Sequence, residues 1–276
     1  MPASSLIAVL AAALLHASWN LVLKSSTERL VAASTQVALA GVAFLPILVW
    51  RGFPGEVLPF LAASAVVEVG YIFALAMAYD RADLSFVYPI ARGSAPVLIA
   101  VGAMFGLSDR VTGAGWFALA LICGGVLTIG FSAASHRGVQ WSLTTGFLIA
   151  AYVTIDGAGI RRTSDTLAYT ASLYIMTAAL LIPLALVVRG REVVGNALRA
   201  DWKRQLLAGV ASLGSYTLLL YASRSAPLSL VSAARESGVL FATVLGWWFL
   251  GERVTRTRWV AAFLIAAGVV LLSVSR

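Results

Sequence analysis

The sequence predicts an all-α membrane protein of ten transmembrane helices, built as two inverted five-helix repeats, and three observations carry that prediction. Of 276 residues, 60% are hydrophobic and 12% charged, with a mean hydropathy of +0.91. Folded in water, such a chain would expose a very large apolar surface. Its apolar runs have about the 20 residues a helix needs to cross roughly 30 Å of hydrocarbon, without the alternation of a spanning strand. Finally, the stretch from Arg92 to Ser132 returns 143 residues later as Arg235 to Ser275. Ten of the last 25 aligned positions are identical, including Arg110-Val111-Thr112 against Arg253-Val254-Thr255 and Trp116 against Trp259. A duplicated module with an odd number of spans re-enters the bilayer upside down.

The first span, 4–23, continues apolar from Ser5 to Trp19-Asn20 and lacks a basic leader, so it reads as an uncleaved helix rather than a signal peptide. Spans 30–50 and 57–79 follow after short links. In the fourth, 84–106, Pro89, Gly93 and Pro96 surround Arg92, which predicts a kink with backbone carbonyls turned inward. The fifth, 113–132, holds the single cysteine, Cys123; it permits no internal disulfide and reads as a packing residue. Small and polar residues at 133–142 read as the linker between a first repeat, 1–132, and a second, 143–276, within one integrated transmembrane domain. Spans 143–160 and 167–188 come next. The link 189–204 is long enough for a surface helix or ordered loop. Spans 205–223, 228–250 and 257–275 complete the set, with Gly238 the sole interruption expected in the ninth.

The net charge of +8 is spread over many short loops and forms no single stripe, which argues against nucleic acid as a partner. The links after odd-numbered spans hold 12 lysines and arginines, against 6 in the even-numbered links and the C-terminus. Loop basicity marks the cytoplasmic side, so the count places both termini outside. Five of the 12 lie in the 189–204 link, and without them the bias vanishes. No metal-ligand spacing, phosphate loop or nucleophile paired with histidine is present, so no metal, cofactor or catalytic residue is assigned.

Ionisable groups within spans are functional candidates, because charge in hydrocarbon is costly. They are Glu68, Arg92, Asp156, Arg235 and Glu236, with His16 a sixth. Mutual neutralisation is the plainer reading for all of them. Arg92 and Arg235 are repeat-equivalent, and inversion predicts two guanidiniums at similar depth facing one central cavity, suited to a carboxylate. His16, Asn20 and Lys24 stack at i, i+4, i+8, and Tyr152 and Asp156 repeat the i, i+4 pair in the second half. Inversion sends the two pairs toward opposite surfaces, where gates would lie. The expected substrate-binding set is Arg92, Arg235, Glu236, Tyr88, Tyr71, Tyr152 and Trp19, with Trp19 also an interfacial anchor. The expected gating or coupling set is Glu68, His16, Asn20 and Asp156. Glu68 has no acidic counterpart in the second half, although Tyr71 is matched by Tyr216.

The string Leu14-Leu15-His16-Ala17-Ser18-Trp19-Asn20, the Tyr152–Gly157 segment and the turns Asp109-Arg110 and Gly251-Glu252-Arg253 resemble the EamA-type branch of the drug/metabolite transporter superfamily. The resemblance covers essentially the whole chain and says little about substrate. It implies a ten-helix basket with a central cavity lined by spans 1–4 and 6–9, and spans 5 and 10 at the periphery or in a homodimer contact. It also implies cytoplasmic termini, against the loop count. The first-half turn departs from the second, with Ser108-Asp109 where Gly251-Glu252 stands, and is expected to be looser.

The reading is a multi-pass secondary transporter of the bacterial inner membrane. Its partners are the lipid bilayer, a small polar or amphipathic metabolite, amino-acid-like or carboxylate-bearing, and protons as a coupling ion. Export is the expected direction. The alternative is an intramembrane enzyme acting on a lipid-linked substrate, with Glu68, Asp156 and His16 as acid–base groups.

Overall fold

A computed structural model describes the chain apart from residues 25, 80, 82–83, 132–137, 239, 242–254 and 275–276. Half of the expected 133–142 linker and the second half of the expected ninth span lie outside the described residues, as do the side chains of Tyr88 and Pro89. The described residues hold α1 (Ala3–Lys24), α2 (Arg29–Arg51), α3 (Leu58–Tyr79), α4 (Leu84–Gly106), α5 (Gly113–Phe131), α6 (Val139–Ile160), α7 (Thr166–Arg189), α8 (Arg191–Ala222), α9 (Leu228–Arg235) and α10 (Arg256–Val274). They include no strand. Among them, α1, α2, α6, α7, α8 and the stretch Gly55–Leu75, which joins a 3-10 turn to α3, are long and apolar enough to cross a membrane. Shorter apolar stretches lie in α4, α5 and α10.

Helix α4 runs from Leu84 to Gly106 across both prolines and packs against α5 and α6. A helix break falls on the repeat-equivalent position of the second half, where α9 stops at Arg235. There the amides of Glu236 and Ser237 bond three residues back, to the Ala233 and Ala234 carbonyls at 2.9 and 3.1 Å, tightening the helix end. Gly238 lies beside α1, where a Cβ would come within 3.1 Å of the Ala13 carbonyl oxygen. The 189–204 link is a surface helix that joins the eighth span with a bend at Asp201.

The helices pair across the two halves. Helix α1 packs on α8 and α3 on α6; α2 packs on α7, and α5 on α10. Exchanging each helix with the one five places along maps these pairs onto one another. Small residues permit the closest approaches, Gly146 of α6 against the Ala91 carbonyl of α4 and Gly209 of α8 against the Gln36 carbonyl of α2. Large apolar side chains such as Val49, Trp50, Phe105 and Val187 point outward and are more than three-quarters exposed, while His16, Arg92, Asp156, Arg235 and Glu236 are buried. That is the polarity a lipid solvent demands.

Hydrogen bonds distinguish two faces. On the termini face, Met1 reaches the Leu272 carbonyl, Ser5 bonds Ser225, and Arg51 pairs with Asp165 at 2.9 Å. Asp165 also caps α7 by accepting from the Leu167 and Ala168 amides at 3.0 Å. Burial pushes its carboxyl up, but the two amides and the Arg51 guanidinium outweigh that and hold it below the usual range. On the link face, which carries the α1–α2, α3–α4 and α7–α8 connections, Arg189 pairs with Glu28 at 3.1 Å.

Candidate functional site

The cavity between the halves is lined by α1 to α4 and α6 to α9, with no described residue of α5 or α10. Its free volume is about 100 Å³. One water needs roughly 10–15 Å³ in such a space, so it admits a small metabolite. Leu23, Arg29, Leu30 and Leu75 of its lining lie toward helix ends on the link face, with Arg29 exposed. Of the expected site residues, His16, Trp19, Glu68, Tyr71, Arg92, Tyr152 and Arg235 line it, whereas Asn20, Asp156 and Glu236 do not. Tyr88 falls outside the described side chains.

Both arginines line the cavity, but their partners differ. The Arg92 Nη2 lies 2.7 Å from Glu236 Oε1 while its Nε donates to Oε2 at 3.2 Å, a two-point ion pair between α4 and the break after α9. Arg235 forms no ion pair with any described residue. Its Nη2 lies 2.7 Å from His16 Nδ1, its guanidinium stands 6.0 Å from the Tyr216 ring centre, and its buried Nε has no hydrogen-bond partner. A cavity-facing cation with an idle donor is prepared for an anion, since buried donors are ordinarily satisfied.

His16 Nδ1 also accepts from Trp19 Nε1 at 3.1 Å. Trp19 therefore turns into the cavity, a correction to its expected anchoring role at the bilayer surface. Asn20 does not line the cavity, and its amide donates to the His16 carbonyl of its own helix at 2.8 Å, an arrangement that spends the polar group locally. Tyr71, Tyr152 and Tyr216 form a ladder of ring contacts at 5.6 and 6.0 Å, an apolar but polarisable wall for a flat or amphipathic ligand.

The acids sit apart. Glu68 Oε2 accepts from Thr177 Oγ1 at 2.7 Å and forms no ion pair with a described residue. Asp156 lies behind the wall, accepting from Tyr169 at 2.8 Å and Tyr216 at 2.5 Å, so one carboxylate ties α6, α7 and α8 together. Tyr216 thus touches both Asp156 and Arg235.

Tyr174, Thr177, Ser212 and Gln36 also line the cavity without having been expected. Their only signal was polarity within apolar runs, which most serines and threonines of such helices spend on their own backbone. The match of Tyr216 to Tyr71 was a usable signal. The described residues hold no group of three or more potential metal ligands.

A family model described as the EamA-like transporter family matches residues 136–274. A solved structure described only as the crystal structure of a protein superposes with a TM-score of 0.79 over 99% of this chain and 97% of its own length. At 17% identity that likeness shows the fold alone. No curated protein matches the sequence.

Proposed function

Because the chain belongs to the EamA-like transporter family, and is thereby a multi-pass membrane transporter of the drug/metabolite transporter superfamily, we propose that it moves a small carboxylate-bearing metabolite by alternating access. The observation that carries the substrate class is Arg235: a buried, cavity-lining guanidinium with no ion pair to a described residue and an idle Nε. The tyrosine ladder beside it favours an amphipathic ligand such as an amino acid. Glu68, with no arginine beside it, is the proposed proton-coupling group. Export across a bacterial inner membrane remains the direction and place of the proposal.

The proposed architecture is ten spans in two inverted halves, 1–132 and 143–276. Support comes from the internal sequence repeat, the exchange symmetry of the helix pairs and the four helices that each half contributes to the cavity wall. Reporters fused before Ala3 and after Arg276 should lie on one side of the membrane, and reporters within 133–142 on the other. Agreement of all three sites refutes the inverted arrangement.

For the substrate class, the test is thermal stability in detergent against graded concentrations of amino acids, aliphatic and aromatic carboxylates and their neutral amides. A compound that binds only the native state adds about 2.7 kcal/mol at a hundred times its dissociation constant. Carboxylates should raise the melting temperature with dose and the amides should not. Equal shifts from both, or none from any carboxylate, would remove the anion from the proposal.

A further inference from the structure

Three layers lie between the cavity and the termini face, and the outer two are made by the same three pieces of chain: the α4–α5 turn, the end of α6 and the start of α9. Outermost, Asp109 in the α4–α5 turn accepts from Arg161 Nη2 at 2.8 Å through Oδ1 and from the Leu228 amide at 2.9 Å through Oδ2. Arg161 also donates to the Leu107 carbonyl at 3.1 Å. Asp109 therefore holds the end of α6 by charge and the start of α9 by capping its first free amide, both favourable roles for a carboxylate. The turn is not loose, as the sequence departure led one to expect. Ser108 adopts a left-handed φ of 56°, the Asp109 amide returns to the Ala103 carbonyl at 3.2 Å, and the carboxylate of Asp109 is only 10% exposed.

Beneath this lies an apolar plug. Leu107 and the fully buried Leu228 pack on Gly157 of α6, where a Cβ would stand 2.6 Å from Leu228 and 3.2 Å from Leu107. Only glycine lets the two leucines close this layer. Below the plug come Asp156 with its tyrosines and, two turns along α9, Arg235 itself. The α6 and α9 segments that bear the site are the ones Asp109 clamps together.

We propose that Asp109 and Arg161 are gate residues: their pairing locks the termini face shut while the link face is open, and the α4–α5 turn, the end of α6 and the start of α9 must part for substrate to pass. This rests on the transporter reading and adds to it the identity of one gate. Asp156, expected from sequence to serve a gate, lies one layer further in. The arrangement explains why the α4–α5 turn carries an acid at that position. A lipid-facing turn would have no use for it.

The test is cysteine labelling, which needs no knowledge of the substrate. In a Cys123→Ala background, Ser212→Cys places a thiol in the cavity wall, and a membrane-impermeant maleimide is applied to oriented vesicles from each face in turn. With Asp109 and Arg161 intact, labelling should be rapid from the link face and slow from the termini face. Asp109→Asn and Arg161→Gln remove charge-assisted bonds whose loss shifts such an equilibrium by roughly tenfold. Labelling from the termini face should then accelerate about tenfold while labelling from the link face slows. Arg161→Lys keeps the charge but loses the reach to Leu107, and should fall between. Unchanged rates overturn the gate. So does an equal rise from both faces, which signals general loosening. Cross-linking Asp109→Cys to Arg161→Cys with a reducible reagent gives a second readout. It should hold termini-face labelling at its slow rate until reduction, and fast labelling from that face in the cross-linked protein overturns the gate as well. Failure of the carboxylate-transporter reading would instead appear in the thermal panel, as no response to carboxylates, which these rates do not touch.

Discussion

Arg235→Ala should weaken carboxylate binding by roughly ten- to a hundredfold while the protein still inserts and folds, the loss expected when one charge-assisted contact of about 1.5–3 kcal/mol disappears. The reason for intact folding is that Arg235 forms no ion pair with a described residue, so its removal breaks no salt bridge and leaves Glu236 its two-point partner Arg92. Arg92→Ala should behave differently. It leaves Glu236, 3% exposed, without its two-point partner, and breaking a buried pair costs roughly 3–5 kcal/mol. The measurements are melting temperature and ligand-induced stabilisation for each variant. Arg235→Ala should melt near wild type yet lose its response to carboxylates, whereas Arg92→Ala should melt well below it. Arg92→Leu combined with Glu236→Leu should recover stability. Arg235→Lys should bind in between, since it keeps the charge but loses the planar fork. Full carboxylate binding by Arg235→Ala would shift the anion site elsewhere.

Glu68→Gln is expected to separate exchange from accumulation. The carboxylate lines the cavity, holds a single side-chain hydrogen bond from Thr177 at 2.7 Å and has no arginine partner. Glutamine preserves an acceptor for Thr177 and removes the titratable proton. If Glu68 carries the coupling proton, the Gln variant in proteoliposomes should keep counterflow of a carboxylate identified in the thermal panel and lose uphill, pH-gradient-driven flux. Loss of both together, or of neither, rules out a coupling role. A purely neutralising role for Glu68, open from sequence, finds no cationic partner among the described residues.

Several features were legible in the sequence because they follow from composition and chain length. Helix ends came out within a few residues at α1, α2, α4 and α7, where an apolar run of about 20 residues stops at charges or a turn. The break after α9 was legible in part: Gly238, the interruption expected from sequence, follows directly on the turn at Glu236 and Ser237, while its close neighbour on another helix, Ala13, was not. In the same way Trp19 looked like an anchor because its position in the span suited one; its actual partner, His16 Nδ1, lies one turn away.

The sequence by itself determined that this chain is helical and membrane-borne, that its halves are related, and which few charges lie within spans. These are consequences of local hydrophobicity and of duplication, both written along the chain. Only the tertiary structure decided how those charges are divided: Arg92 to Glu236, Asp156 to two tyrosines, Arg235 to the cavity, and Asp109 to a clamp between the end of α6 and the start of α9. An ion pair between residues 144 apart depends on helix rotation and depth, and those are set by small-residue contacts such as Gly146 on α4 and Gly209 on α2. A hydropathy pattern fixes how far each helix reaches across the membrane; which of its faces meets which neighbour is settled by packing.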